Sequence, residues 1–146
     1  MKIDGSCHCG SIRFEAEIEP AHVVMCHCTD CQTLTGSAFR TAVPTKPGTF
    51  RLLSGAPTLY VKVADSGRKR EQAFCPTCGA PIFSTSVGDG QKVHGLRVGT
   101  IRQRDQLVPR DQIWCRSSQS WLPGLPTIRK HEAEPVWTVT GPAPKS

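Results

Sequence analysis

The sequence predicts a mainly β, largely antiparallel domain with little helix, and three observations carry that prediction. Gly and Pro together number 25 of 146 residues, a composition rich in turns and poor in long helices. Short runs alternate apolar with polar residues, the period of a half-buried strand. No stretch carries the apolar spacing of a helix of three or more turns, and no repeat at solenoid spacing is present.

The elements follow in order. "SIRFEAEI", Ser11 to Ile18, puts Ile12, Phe14, Ala16 and Ile18 on one face and Arg13, Glu15 and Glu17 on the other, so it predicts a strand buried on one side. "HVVMC" predicts a strand that delivers Cys26. "TDCQTLTGS" predicts one short helical turn before Gly36. "AFRTAVP", "TLYVKVA", "KREQAFC", "APIFSTSV", "KVHGLRVGTI" and "DQIWC" predict six more strands, set between Gly, Pro, Asp and Ser punctuation. The length suits one domain with its own core, over residues 1–134. A flexible C-terminal tail over 135–146, ending "GPAPKS", is expected after it.

Eight cysteines in 146 residues is an unusual count. Disulfides would explain it in a secreted protein. The opening "MKIDGSCHCG" has no apolar leader segment, and no run approaches the roughly 18 apolar residues of a membrane span. The expectation is therefore a reducing, cytoplasmic setting, where clustered cysteines read as metal ligands.

Cys7 and Cys9 form C-x-C, Cys26, Cys28 and Cys31 form C-x-C-x₂-C, Cys75 and Cys78 form C-x₂-C, and Cys115 stands alone. A tetrahedral zinc needs sulfurs about 2.3 Å away that converge from two directions. In C-x₂-C a tight turn folds the second thiol back beside the first. Pro76 fixes φ early in that turn, and Gly79 permits a positive φ at its exit. In C-x-C, residues i and i+2 of an extended chain face one side. Cys7 and Cys9 with Cys75 and Cys78 give a natural four-thiolate site that ties the N-terminus to mid-chain, as a structural zinc does.

Cys26, Cys28 and Cys31 remain, all local. Three protein ligands with a free fourth position is the arrangement of catalytic zinc sites. A distant residue could equally close the site, with Cys115 the first candidate and His94 behind it. His27 and His8 should point away from the cysteines that flank them in an extended chain. The sequence pattern alone leaves the second site open or closed. If seven thiolates bind two zinc ions, the formal charge of +6 falls to about +3. That mild basicity suits a small anionic ligand better than nucleic acid.

"GSCHCGSIRFE", "CHCTDCQTLTGSAF", "FCPTCGAPIF" and "GLRVGTI", with a Trp after the last strand, occur in this order between Gly5 and Trp121. On these motifs the chain resembles the glutathione-dependent formaldehyde-activating enzyme (GFA) family, which includes domains like that of centromere protein V. The resemblance implies a mostly β fold of the Mss4-like type. It implies a structural zinc on Cys7, Cys9, Cys75 and Cys78. It also implies a second zinc on Cys26, Cys28 and Cys31 with an exchangeable fourth position, which leaves Cys115 outside the site. Relatives often carry a His in a phrase like "HIWV", where this chain has Gln112 in "QIWC".

Three thiolates leave the second zinc with a net charge of −1 and make it a weaker Lewis acid than one held by histidines. Hydrolysis by zinc-bound hydroxide is therefore disfavoured, whereas binding another soft thiolate is favoured. The resemblance implies carbon–sulfur lyase chemistry on a glutathione-type thiol adduct, the formation or breakdown of S-hydroxymethylglutathione. A non-catalytic, zinc-stabilised module that binds glutathione or a partner is the alternative. No general base or other catalytic residue stands out. Asp30 is expected to cap the turn that follows it. Arg40, Arg68, Lys69, Arg70 and Arg97 could meet carboxylates of an acidic thiol but read first as solvated charges. The basic residues from Arg97 to Arg116 are not interleaved with stacking aromatics, so no nucleic-acid partner is expected. A zinc deaminase is excluded because no H-x-E precedes the C-x₂-C pair.

Overall fold

The structure, a computed structural model, describes residues 1–143. Its strands are β1 (Lys2–Ser6), β2 (Arg13–Glu17), β3 (Val24–Cys26), β4 (Arg40–Pro44), β5 (Arg51–Ser54), β6 (Thr58–Val63), β7 (Lys69–Phe74), β8 (Pro81–Ser86), β9 (Gly95–Arg97), β10 (Asp111–Ile113), β11 (Trp137–Thr138) and β12 (Gly141–Pro142). One α-helix, α1 (Thr29–Thr35), and five short 3-10 segments complete the described residues. The fold is mainly β, as the sequence predicts. No helix among the described residues is long and apolar enough to cross a membrane.

Three strands form a small sheet in the order β1-β2-β5, and seven form a large one in the order β10-β3-β4-β9-β8-β7-β6. Every pairing is antiparallel except β10 on β3. The alternation in "SIRFEAEI" is realised in β2, where Phe14 and Ala16 are buried and Arg13 is exposed. Ile3 of β1 pairs with Ala16, and Gly5 with Phe14, so both strands send these residues into the core between the sheets. A Cβ on Gly5 would overlap both the Phe14 ring and the Thr100 carbonyl, so only glycine lets these backbones meet.

The large sheet has two unlike faces. Along one, Val43 pairs with Leu96, Leu96 with Phe83 and Phe83 with Ala73, and all four are buried in the core. Along the other, Cys26 pairs with Arg40, Ala42 with Arg97, Ser84 with Gly95, Gln72 with Ser84 and Tyr60 with Gln72. Successive side chains point to opposite faces, so this second row is polar while its neighbours are apolar. The helix α1 lies over the polar row. Its Asp30 pairs with Lys62 of β6 at 2.5 Å, and its Leu34 shares a cavity with Arg40 and Tyr60.

Three expected strands differ. "KVHGLRVGTI" yields only β9, because Val98–Thr100 turn as a 3-10 segment that brings Ile101 against Gly5. "HVVMC" shortens to Val24–Cys26 after a 3-10 turn that starts at Pro20. "DQIWC" stops at Ile113, since Trp114 adopts φ 58° and Cys115 begins a 3-10 turn. Strands β1 and β5 have no counterpart in the sequence reading. From Pro135 the chain holds the β11–β12 hairpin as far as Ala143, and the last three residues of the expected tail lie outside the described residues.

Candidate metal centres

The first centre forms where the end of β1 meets the turn after β7. The Sγ atoms of Cys7, Cys9, Cys75 and Cys78 all lie within 4.8 Å of one another. Cys7 and Cys9 sulfurs are 3.5 Å apart, and those of Cys9 and Cys75 are 3.7 Å apart. Four sulfurs each about 2.3 Å from a tetrahedral centre stand roughly 3.8 Å apart, so the spacing fits a bound metal. The C-x₂-C turn closes as its residues require. The Gly79 N–H donates to the Cys75 carbonyl, and Gly79 takes φ 75°.

Backbone and side-chain donors aim at these sulfurs. Ile12 N–H donates to Cys7 Sγ at 3.3 Å and Cys78 N–H to Cys75 Sγ at 3.5 Å. The Ser11 hydroxyl lies 3.2 Å from Cys9 Sγ and 3.4 Å from Cys75 Sγ. Ser11, with help from the Cys78 N–H, pulls the Cys75 thiol down to about 5. The sequence reading gives Ser11 no part in this centre, though its place two residues beyond C-x-C is the signal that would find it.

The second centre sits where β3 runs into α1. Cys26, Cys28 and Cys31 sulfurs lie within 4.8 Å of one another, and among the described residues no fourth ligand joins them. Cys28 is the N-cap of α1, accepting the Cys31 N–H at 3.3 Å. Asp30 therefore does not cap the helix as expected. It sits in the first turn and reaches Lys62 instead. Burial pushes the Cys26 thiol up to about 12. Cys28 goes the other way. Against the cost of burial, the Cys31 N–H, the neighbouring thiols and the Lys62 charge lower it.

Neither candidate for closing this centre is in it. Cys115 is exposed, and its thiol donates to the Gln112 carbonyl at 3.5 Å. His94 is half-buried at the edge of the core, stacked on Phe50 at 4.4 Å and edge-on to Phe83 at 4.8 Å. His27 turns away as predicted and is buried. Its Nε2 bonds Gln112 Oε1 at 2.8 Å, and this gives Gln112 a role in holding the loop. Gln32 of α1 donates to the carbonyls of His27 and Ser117, fastening the C-terminal segment over the centre.

A cavity of about 300 Å³ opens on Cys28, walled by Asp30, Lys62, Asp65, Trp114 and Arg116. The Arg116 guanidinium lies over the Trp114 ring, 4.8 Å from its centroid. A larger cavity of about 530 Å³ borders Cys7 and His8 in the other centre, where four sulfurs already face one another.

A family model described as glutathione-dependent formaldehyde-activating enzyme matches residues 2–117. The chain belongs to the GFA family. The match spans both cysteine centres and stops at Ser117, whose carbonyl Gln32 holds. A crystal structure of a Rhodobacter sphaeroides protein shares the fold at a TM-score of 0.56 and 22% identity. That match covers 75% of this chain and 98% of the other. The mainly β, Mss4-like architecture expected of a GFA chain is the one observed. Its two thiol groups are able to hold metal ions.

The expectation of solvated arginines needs correction for this GFA domain. Arg40 and Arg97 are buried, because α1 covers the sheet face they stand on. Burial, with the like charge of Arg40 beside it, lowers Arg97 to about 9, so it stays charged at neutral pH. Arg70 on the same face is half-buried, whereas Arg68 and Lys69 are exposed as expected.

Proposed function

We propose that this GFA protein binds two zinc ions and acts as a carbon–sulfur lyase on a glutathione-type thiol adduct. Cys7, Cys9, Cys75 and Cys78 would hold the structural ion. Cys26, Cys28 and Cys31 would hold the second, with its fourth position left for a small thiol. The observation that carries the reading is the inequality of the two groups. One gathers four sulfurs, and the other gathers three beside a cavity that opens on Cys28.

Zinc, when bound, supplies a soft Lewis acid that favours a thiol in its thiolate form at neutral pH. The chain supplies the rest. Lys62 and Arg116 bring two cations to the cavity, set against Asp30 and Asp65, and Trp114 walls one side of it. In the addition, the ligand's sulfur forms a bond to the carbonyl carbon of formaldehyde. The carbonyl π pair moves to the oxygen, and that oxygen takes up a proton from solvent, balancing the one the thiol released on becoming a thiolate. Breakdown is the reverse, and neither direction needs an oxidant or reductant. The same reading places the protein in the reducing cytoplasm, with neither nucleic acid nor membrane as partner.

The test is to purify the protein anaerobically, count its zinc, and follow ¹³C-formaldehyde and glutathione by exchange NMR. Two zinc ions per chain and faster S-hydroxymethylglutathione exchange, lost in Cys28→Ser, are expected. Glutathione binding without faster exchange would leave the non-catalytic module as the better reading. The pairing of Asp30 with Lys62 favours that alternative, since it occupies a carboxylate that could otherwise move a proton beside Cys28.

A further inference from the structure

A second cavity lies between α1 and β6. The cavity that opens on Cys28 has Asp30 and Lys62 in its walls. One helical turn further on, Leu34 and Tyr60 enclose a cavity of about 240 Å³ with Arg40, Gln72 and Phe74. Apart from Arg40 and Gln72 the side chains of this wall are apolar or aromatic.

The polar floor of this cleft carries charge that the protein does not balance with carboxylates. Arg40 is 5% exposed and Arg97 8%, and the Nε of each has no hydrogen-bond partner. Arg97 Nη2 donates to Gln72 Oε1 at 2.6 Å, a neutral acceptor. Arg70 Nη2 reaches only the Ser84 hydroxyl, at 3.4 Å. The ion pairs among the described residues all involve other cations. A buried guanidinium without an anion is costly, and such groups are retained where something pairs with them.

The negative groups that act on Arg97 are the Cys26 and Cys31 thiols. Three thiolates around a divalent ion amount to one net negative charge. Arg40, Arg97 and Arg70 outnumber it and leave two positive charges. If the arginines only offset the thiolates, one would suffice. A ligand bearing one thiolate and one carboxylate brings the cleft to neutrality. A guanidinium fork matches a carboxylate in shape, and the apolar wall strengthens the contact by excluding water.

We propose that Arg40 and the cavity it lines, with Arg97 behind them bonded to Gln72, form an anion subsite. It takes a carboxylate of the ligand whose thiol occupies the open position beside Cys26, Cys28 and Cys31. The inference rests on the thiol reading given above and narrows the ligand to mercaptocarboxylates.

The probes are 3-mercaptopropionate and 6-mercaptohexanoate, each against its own methyl ester, titrated calorimetrically into the zinc-loaded full chain. Affinities are compared per thiolate. For at least one chain length the acid should bind about tenfold more tightly than the ester, a fold-change typical of one charge-assisted pair. Arg40→Gln should abolish that preference while two zinc ions remain bound. Equal affinities of acid and ester for the wild-type protein overturn the subsite and leave the thiol reading standing. Failure of every thiol to bind overturns both. An Arg40→Gln protein that keeps the preference overturns the subsite, and so does one that loses a zinc ion, which would make Arg40 a counter-charge to the metal. The wild-type comparison decides the matter even if the variant does not fold.

Discussion

Replacing Cys78 by Ser should unfold the domain, whereas replacing Cys28 by Ser should leave it folded with one metal ion fewer. The asymmetry comes from how much chain each centre gathers. Cys9 and Cys75 are 66 residues apart, and cross-linking a loop of that length removes about 4 kcal/mol of chain entropy from the unfolded state. Cys26 to Cys31 is a span of five residues, for which the same expression gives about 2 kcal/mol. Structural zinc binding is worth roughly 10–16 kcal/mol in small peptides, comparable to the whole stability expected of a domain this size. Cys7 and Cys75 are also core residues, so loss of the metal releases a cross-link in the middle of the packing. At Cys28 the local cost is small. Serine is itself a strong N-cap, and its hydroxyl can accept the Cys31 N–H that Cys28 accepts now. Metal content by elemental analysis and thermal melts by circular dichroism test both variants. Two variants that melt alike would refute the division of labour, as would a Cys78→Ser protein that retains two metal ions.

Gly5→Ala should destabilise the fold by about 2–3 kcal/mol in urea titrations, the upper range for overpacking, because the added carbon meets the Phe14 ring and a backbone carbonyl. A cost below about 0.5 kcal/mol would mean that the β1–β2 pairing relaxes easily. Burial lowers His94, so its imidazole should titrate with a midpoint below 6.5 when followed by NMR. A depressed base favours folding fully above the unfolded value of 6.5, and that contribution fades as pH falls through the folded midpoint. His94→Phe should remove this slope while keeping the stack on Phe50. A His94 midpoint at or above 6.5 would contradict its placement.

Both cysteine centres can be read from the sequence because the spacing of C-x-C and C-x₂-C fixes how thiols converge locally. The strand β2 is equally plain, since one of its faces is buried and the other is wet. The strand β1 is not, because one of its two inward positions is Gly5, which gives no hydrophobic signal. Arg40 and Arg97 were hidden for a related reason. A strand covered on both faces loses its alternation, and a charge under α1 looks in sequence like a charge in water. Trp114 ends β10 in a left-handed conformation that a bulky residue seldom takes, and nothing in "QIWC" announces it.

The parallel pairing of β10 on β3 bears on how the protein is made. His27 and Gln112, which meet across it, are 85 residues apart. At typical rates of synthesis, about 4 to 17 s separate their emergence. Throughout that interval β3 is an uncovered sheet edge with Cys26 at its end and the other two thiols just beyond. Translation order thus makes the cluster complete in ligands early and in shelter late, so a metal ion that arrives first would find three thiols without their cover.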